Sequence, residues 1–280
     1  MKIPVIMFLG LHVVAASRYG QSSCSCKSAN LNIINGTVAA EDSHPWAVAL
    51  MSRGWGVDYY LFCGGSIITP RHVLTAAHCL NRNRAYNVWI AAGQQKISQI
   101  KKENLIPSKH LFVHEHYNPT YVLNDIGLVL TQRKIQFTPT VRPICLPNTK
   151  LELADLGAKV TVVGWGMTSI SDPSTSDELR QVELDVLPLE ECVRSYPNLF
   201  FENQLCTYME GKSPFRGDSG SPVIWKRSEN RTHVIQVGLV SLADRKARRP
   251  SVQTDVTAFI DWIEDMVEET TPNYRICTGK

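Results

Sequence analysis

From residue 33 onward the sequence is a succession of short apolar runs broken by turn signals. That pattern restricts the fold more than any other feature. The runs include WAVALM (46–51), CGGSIITP (63–70), NVWIAAG (87–93), DIGLVLT (125–131), KVTVVGWG (159–166), SPVIWK (221–226) and HVIQVGLVSL (233–242). Many short strands at this spacing predict an all-β sandwich or barrel. A seam falls near CLPNTKLELADLG (145–157). It leaves two halves of similar length, each with about six strand candidates. Between the runs, SISDPSTSD (169–177) reads as a loop by composition. One helical pattern stands at the end. Phe259, Trp262, Ile263, Met266 and Val267 recur at helical spacing with acidic residues between them, which predicts an amphipathic helix closing the fold.

The first residues indicate the compartment. Lys2 precedes IPVIMFLGLHVVAA, an apolar run ending in small residues. This is the layout of a secretory signal peptide over residues 1–16, and the run is short for a membrane span. Residues 17–32 then read as a propeptide, 33–269 as the folded domain and 270–280 as a C-terminal tail. The expectation is a secreted, extracellular protein. Eight cysteines (Cys24, Cys26, Cys63, Cys79, Cys145, Cys192, Cys206 and Cys277) fit an oxidising compartment, and their even count suggests disulfides. Their spacing lacks the paired pattern of a zinc site. The net charge of +3 in 280 residues gives no sign of a nucleic-acid partner.

Three stretches carry candidate chemistry: TAAHC (75–79) with His78, NDIGLVL (124–130) with Asp125, and FRGDSGSP (215–222) with Ser219. Each alone has an ordinary structural explanation, as a core histidine, a turn aspartate or a tight turn. Together they supply what serine-dependent hydrolysis requires. A nucleophilic hydroxyl needs a base to take its proton, and that base needs a carboxylate to fix its tautomer and stabilise the imidazolium. The chain order His, Asp, Ser disfavours an α/β-hydrolase, which expects Ser, Asp, His. Gly217 allows its amide to face a developing oxyanion with no side chain in the way.

With IING, PWAVAL, CGGSII, LTAAHC, NDIGLVL, VVGWG, GDSGSP and GLVS in one order, the chain resembles the chymotrypsin-like (trypsin-fold) serine proteases from Ile33 to about Glu269. The resemblance implies two six-stranded antiparallel β-barrels with the active site in their cleft and a C-terminal α-helix. It implies that Ser219 is the nucleophile, His78 the general base and then acid, and Asp125 its orienting partner. The oxyanion hole would be the amides of Gly217 and Ser219. Ser241, Leu242 and Ala243 would form the edge against which the substrate backbone pairs. The implied partners are polypeptide substrates and protein inhibitors, with no cofactor, no metal, no nucleic acid and no membrane. The loop after Gly93 has Gln94 and little else to hold calcium. The family also implies that a zymogen is cut before Ile33, whose freed ammonium inserts and pairs with Asp218. The uncut chain should then hold its oxyanion loop poorly.

Several residues depart from the family pattern. The residue before the cut is Asn32 rather than Arg or Lys, which points to an activating protease that tolerates Asn, such as an asparaginyl endopeptidase. Two familiar disulfides are absent as whole pairs, Val160 and Trp225 standing where one is expected; in this the chain resembles granzymes and mast-cell chymases. The remaining pairs implied by resemblance are Cys63–Cys79, Cys192–Cys206, and Cys145 with either Cys24 or Cys26. The last leader cysteine and Cys277 are left to pair with each other or with another chain. Ser221 and Leu242 replace the usual Gly and Trp. These departures keep open an alternative, a catalytically silent homologue acting as a binding or regulatory protein.

The base of the specificity pocket should be Ser213, with Ala243 and Ser251 in the walls. A neutral, narrowed pocket lacks the counter-charge for Arg or Lys and favours small to medium apolar residues on the acyl side. Arg216 and the run DRKARRP (244–250) make its mouth basic. This is either a solvated loop or a preference for acidic substrate flanks. Asn230 in Asn-Arg-Thr is the credible glycosylation site; the Asn35 sequon lies beside the terminus that must insert.

Overall fold

A computed structural model describes residues 26, 37–53, 59–169, 171–172, 174–199, 202–226, 233–244 and 246–279. The expected signal peptide, Cys24, Asn32, Ile33, Asn35 and Asn230 lie outside the described residues. The strands run in chain order as β1 (Thr37–Val38), β2 (Ala47–Arg53), β3 (Tyr59–Ile67), β4 (His72–Thr75), β5 (Val88–Ala92), β6 (Ile106–Val113), β7 (Gly127–Thr131), β8 (Leu146–Pro147), β9 (Lys159–Gly164), β10 (Arg180–Leu187), β11 (Gln204–Tyr208), β12 (Pro222–Lys226), β13 (Val234–Leu242), β14 (Ser251–Asp255) and β15 (Thr278–Gly279). The first six-stranded barrel closes in the order β2-β3-β4-β7-β6-β5. The second follows β10-β11-β14-β13-β12-β9 and closes by pairing of β9 with β10, with β1 added on the outside of β10. All pairings within the barrels are antiparallel, and β8 lies on the chain between the last strand of the first barrel, β7, and the first strand of the second, β9.

The apolar runs are unbroken because many strands are buried on both faces. In β2, Val48 and Leu50 point into the first barrel with Ile67, Val73, Ile90 and Val129. The alternate residues Ala47, Ala49 and Met51 join a second cluster with Leu74, Leu128, Val163, Trp165 and Leu239, which fills the space between the barrels. The second barrel has its own core of Val160, Val162, Leu184, Val223, Val237 and Val240. Each such buried side chain contributes roughly 1.5–3 kcal/mol of transfer free energy, so the contact between barrels is a core in its own right.

Among the described residues three α-helices complete the fold: α1 (Ala77–Leu80), α2 (Leu189–Ser195) and α3 (Ile260–Thr270). Asp255 accepts from the Thr257 N–H (2.9 Å) at the turn leading into α3. Ile263 and Val267 of α3 are buried, as is Phe259 just before it. Buried His72 ties the end of α3 to β4, hydrogen-bonding Thr69 Oγ1 (2.7 Å) through one ring nitrogen and Thr270 Oγ1 (2.8 Å) through the other.

The last residues are more than a tail. Ile276 and Cys277 are buried, and β15 pairs in parallel with β8. Cys26 bonds Cys145, which resolves the leader alternative, and Cys63–Cys79 and Cys192–Cys206 form as implied. Cys277 is also disulfide-bonded; its partner lies outside the described residues.

Candidate active site

His78 stands in the short helix α1, immediately after β4, and Cys79 beside it is bonded to Cys63 of β3. The helix is therefore stapled to β3, the barrel neighbour of the strand it follows. Asp125 precedes β7, which pairs with β4. This pairing brings the two residues together at the same end of neighbouring strands. Asp125 is 1% exposed. Its Oδ1 accepts from the His78 backbone N–H (2.8 Å) and its Oδ2 pairs with His78 Nδ1 (2.7 Å). A carboxylate only accepts, so Nδ1 carries the proton and Nε2 keeps its lone pair.

A third donor completes the carboxylate's shell: the Ser241 hydroxyl, 2.6 Å from Asp125 Oδ2. Sequence reasoning gave Ser241 only a backbone role. The register of β13 against β14 slips between Val240 and Leu242, and Ser241 sits in that irregularity. A bulge re-aims a side chain in this way, and no local residue pattern announces it. Thr254 Oγ1 also donates to the Asp125 carbonyl (2.8 Å). The nearby Tyr117 phenol is pushed up to about 12, first by burial and then by the Asp125 charge.

Ser219 belongs to the second half of the chain but is fastened to both barrels. Its carbonyl accepts from Gly64 N–H of β3 (2.8 Å), and the next amide, Gly220, donates to Val240 of β13 (2.8 Å). Gly220 has φ +73°, and a Cβ there would lie 2.1 Å from Thr75 Oγ1 and 3.0 Å from the Ala76 nitrogen. The serine turn thus packs directly on the segment leading into His78, and only glycine fits.

The turn before it is equally constrained. Gly217 has φ +102°, and a Cβ would come within 3.0 Å of Gly166 Cα and Thr175 Cγ2. The Asp218 amide donates to the Phe215 carbonyl (3.0 Å), and the Asp218 carboxylate accepts from the Gly166 (2.7 Å) and Phe215 (3.0 Å) amides. Met167 N–H holds the Arg216 carbonyl (2.9 Å). The amides of Gly217 and Ser219 have no acceptor among the described residues. Four hydrogen bonds hold this loop. Burial pushes the Asp218 carboxyl up to about 6, against the pull of the Phe215 and Gly166 amides, and no cation pairs with it among the described residues. Asp218 faces a cavity of about 160 Å³, lined also by Val162, Gly164, Gly166, Val182 and Phe215.

Two of the expected pocket residues, Ser213 and Ser251, lie together. Ser213 and Ser251 are both buried, with their hydroxyls 3.0 Å apart, and Ser213 Oγ also donates to the Pro214 carbonyl (3.0 Å). Ala243 follows β13 and is half-buried. The two unusual residues are accommodated: Leu242 packs against the Cys192–Cys206 cluster, and Ser221 is buried between the barrels. Cys63, His78 and Cys79 gather potential metal-ligand atoms within 4.8 Å, but the two sulfurs are joined to each other and offer no thiolate.

The trypsin family model matches residues 33–263. The chain is 30% identical to "Venom serine protease" of Polistes dominula over 93% of its own length and 94% of that relative's. It is 32% identical to "Chymotrypsin-2" of Vespa crabro over 83% of itself and 98% of that relative. "Ovochymase" of Halocynthia roretzi is 31% identical over 86% of this chain, which spans 16% of that longer protein.

Proposed function

Because the chain belongs to the trypsin family of serine proteases, we propose that it is a secreted serine endopeptidase in which Ser219, His78 and Asp125 act together. The observation that carries this reading is the saturated carboxylate of Asp125, which fixes His78 with Nδ1 protonated and Nε2 free to accept. Ser219 Oγ attacks the scissile carbonyl as its proton passes to His78 Nε2. The tetrahedral oxyanion is received by the unengaged amides of Gly217 and Ser219, donors of a kind worth roughly 10²–10³ in rate. His78 then returns the proton to the leaving amine, and water hydrolyses the acyl-enzyme by the same steps in reverse roles.

The self-satisfied hydroxyl pair of Ser213 and Ser251 offers no counter-charge to a buried Lys or Arg. This supports cleavage after small to medium apolar residues. Asp218, beside its cavity and with no cation partner among the described residues, supports a zymogen in which cleavage between Asn32 and Ile33, by a protease tolerant of Asn, supplies an ammonium. The N-terminus of the secreted protein is to be sequenced and the same preparation labelled with a serine-directed fluorophosphonate. The expectation is a chain starting at Ile33 that labels, with no labelling of Ser219→Ala. A chain starting at Ile33 that does not label would sink the enzymatic reading.

A further inference from the structure

Beyond the specificity pocket, we propose a cationic subsite, formed by Lys246 and Arg248, that selects substrates carrying Asp or Glu at the fourth and fifth residues ahead of the scissile bond. It deepens the reading of Ser241–Ala243 as the substrate-pairing edge and rests on it. The pairing of β12 with β13 ends at Pro222–Leu239, and Gly220 and Ser221 engage Val240. Past that point, Ser241 to Ala243 have no strand on the side of Ser219 among the described residues. Ser241 marks the reacting end, since its hydroxyl holds Asp125. Substrate residues on the acyl side must then run from Ser241 toward Ala243. At about 3.3 Å per residue, three of them cover this edge, and the next two emerge over the loop that begins at Asp244.

That loop is built rather than merely solvated. The Asp244 carbonyl accepts from the Ala247 amide (2.9 Å), and its Oδ2 accepts from the amides of Arg248 (2.8 Å) and Arg249 (3.2 Å). Burial opposes the Asp244 charge, but these amides and Arg249 outweigh it and hold the carboxyl below its usual range. Ala247 is buried, with φ +50°. The Arg249 guanidinium lies over the Tyr196 ring (4.6 Å to its centroid), and the Tyr196 hydroxyl donates to the Pro250 carbonyl (2.8 Å). Asp244 and Arg249 are thus spent on the loop itself. Lys246 and Arg248, on either side of the buried Ala247, are exposed and form no ion pair among the described residues. Exposed Arg216, next to Gly217, adds to the positive potential at the reacting end.

Two peptides test this, each with Val before the scissile bond and either Glu or Gln at the fourth and fifth acyl-side positions. The acidic peptide should show kcat/KM about five- to twenty-fold higher at roughly 20 mM salt, from two exposed pairs and steering. The advantage should shrink toward one at about 0.3 M, as the screening length contracts below roughly 6 Å. Lys246→Gln with Arg248→Gln should cut the low-salt advantage to about twofold or less. A wild-type advantage within twofold of one at low salt overturns the proposal, as does one that survives in the double variant. Should that variant not fold, the wild-type salt series decides alone. Binding of the same labelled peptides to Ser219→Ala, read by fluorescence anisotropy, separates the two readings. Acidic preference in binding without turnover in the wild type keeps the subsite and refutes the protease. Turnover of both peptides with no charge preference does the reverse.

Discussion

Asp218 allows a sharp test, because a desolvated carboxylate with no cation partner among the described residues leaves a signature in stability. In the uncut chain its pKa rises from 3.8 to about 6. The folded state therefore binds a proton more tightly than the unfolded state between these values, and stability falls as pH rises through that window. A rise of roughly two on the pH scale corresponds to about 3 kcal/mol. His44 and His72 act in the opposite sense. Burial lowers both to about 4, so their neutral forms add stability as pH climbs toward 6.5, and the raw profile mixes the two effects. The informative quantity is the difference between the wild type and Asp218→Asn, measured by urea unfolding from pH 4 to 7. The asparagine loses one acceptor for the Phe215 or Gly166 amide, at about 1–3 kcal/mol, but that offset does not depend on pH. The wild type should lose about 2 kcal/mol relative to the variant between pH 4 and 6, and roughly 0.4 kcal/mol more by pH 7. In a chain cut before Ile33, the ammonium should draw the Asp218 carboxyl below its usual range and reverse the slope. A difference that is flat to within about 0.5 kcal/mol in the uncut chain would refute a buried, unpaired Asp218.

Three further outcomes follow from the site. Ser241→Ala removes one of three donors to Asp125; kcat/KM should fall about ten- to hundredfold, while the thermal midpoint moves by only a few degrees. Gly217→Ala forces a side chain into φ +102° and a 3.0 Å contact with Gly166; steady-state assays should show kcat down by at least roughly a hundredfold. Replacing Cys26 and Cys145 with Ser removes a bridge spanning 119 positions; in the uncut chain, denaturant titration should show a loss of about 2–5 kcal/mol.

Much of the architecture was legible because the barrels bury both faces of their strands. Runs such as WAVALM and KVTVVGWG became β2 and β9 with ends shifted by only a few residues. Strands with mixed faces were harder to read. In RQVELDVL (180–187), charged and polar residues that are only half-buried interrupt the apolar ones, so β10 shows a weaker apolar signal although it closes the second barrel. The helix α2 is one turn longer than a turn signal and buries only Cys192. At the site, His78, Asp125 and Ser219 were recognisable because their neighbours are sterically restricted: Gly217 and Gly220 cannot carry side chains. Ser241 as an Asp125 donor was not legible, because the register slip of β13 against β14 that aims it leaves no mark in the GLVS run. The choice between Cys24 and Cys26 was equally hidden, since spacing carries no connectivity.

Ser221 has a consequence for how this sequence can change. A Cβ on Gly64 would sit 2.1 Å from Ser221 Oγ, and one on Gly164 would sit 2.8 Å from the same atom. One hydroxyl therefore occupies the space that two glycines on different barrels leave open. Positions 64 and 221 are epistatic, while Gly164 is held as glycine also by Asp218 Oδ1, 2.3 Å from a Cβ there. Gly64→Ala is barred while Ser221 remains, whereas Ser221→Gly would relax the contact to the 3.1 Å approach of the position-221 Cα. Substitutions at this seam have an order in which they can be accepted, with position 221 changing first.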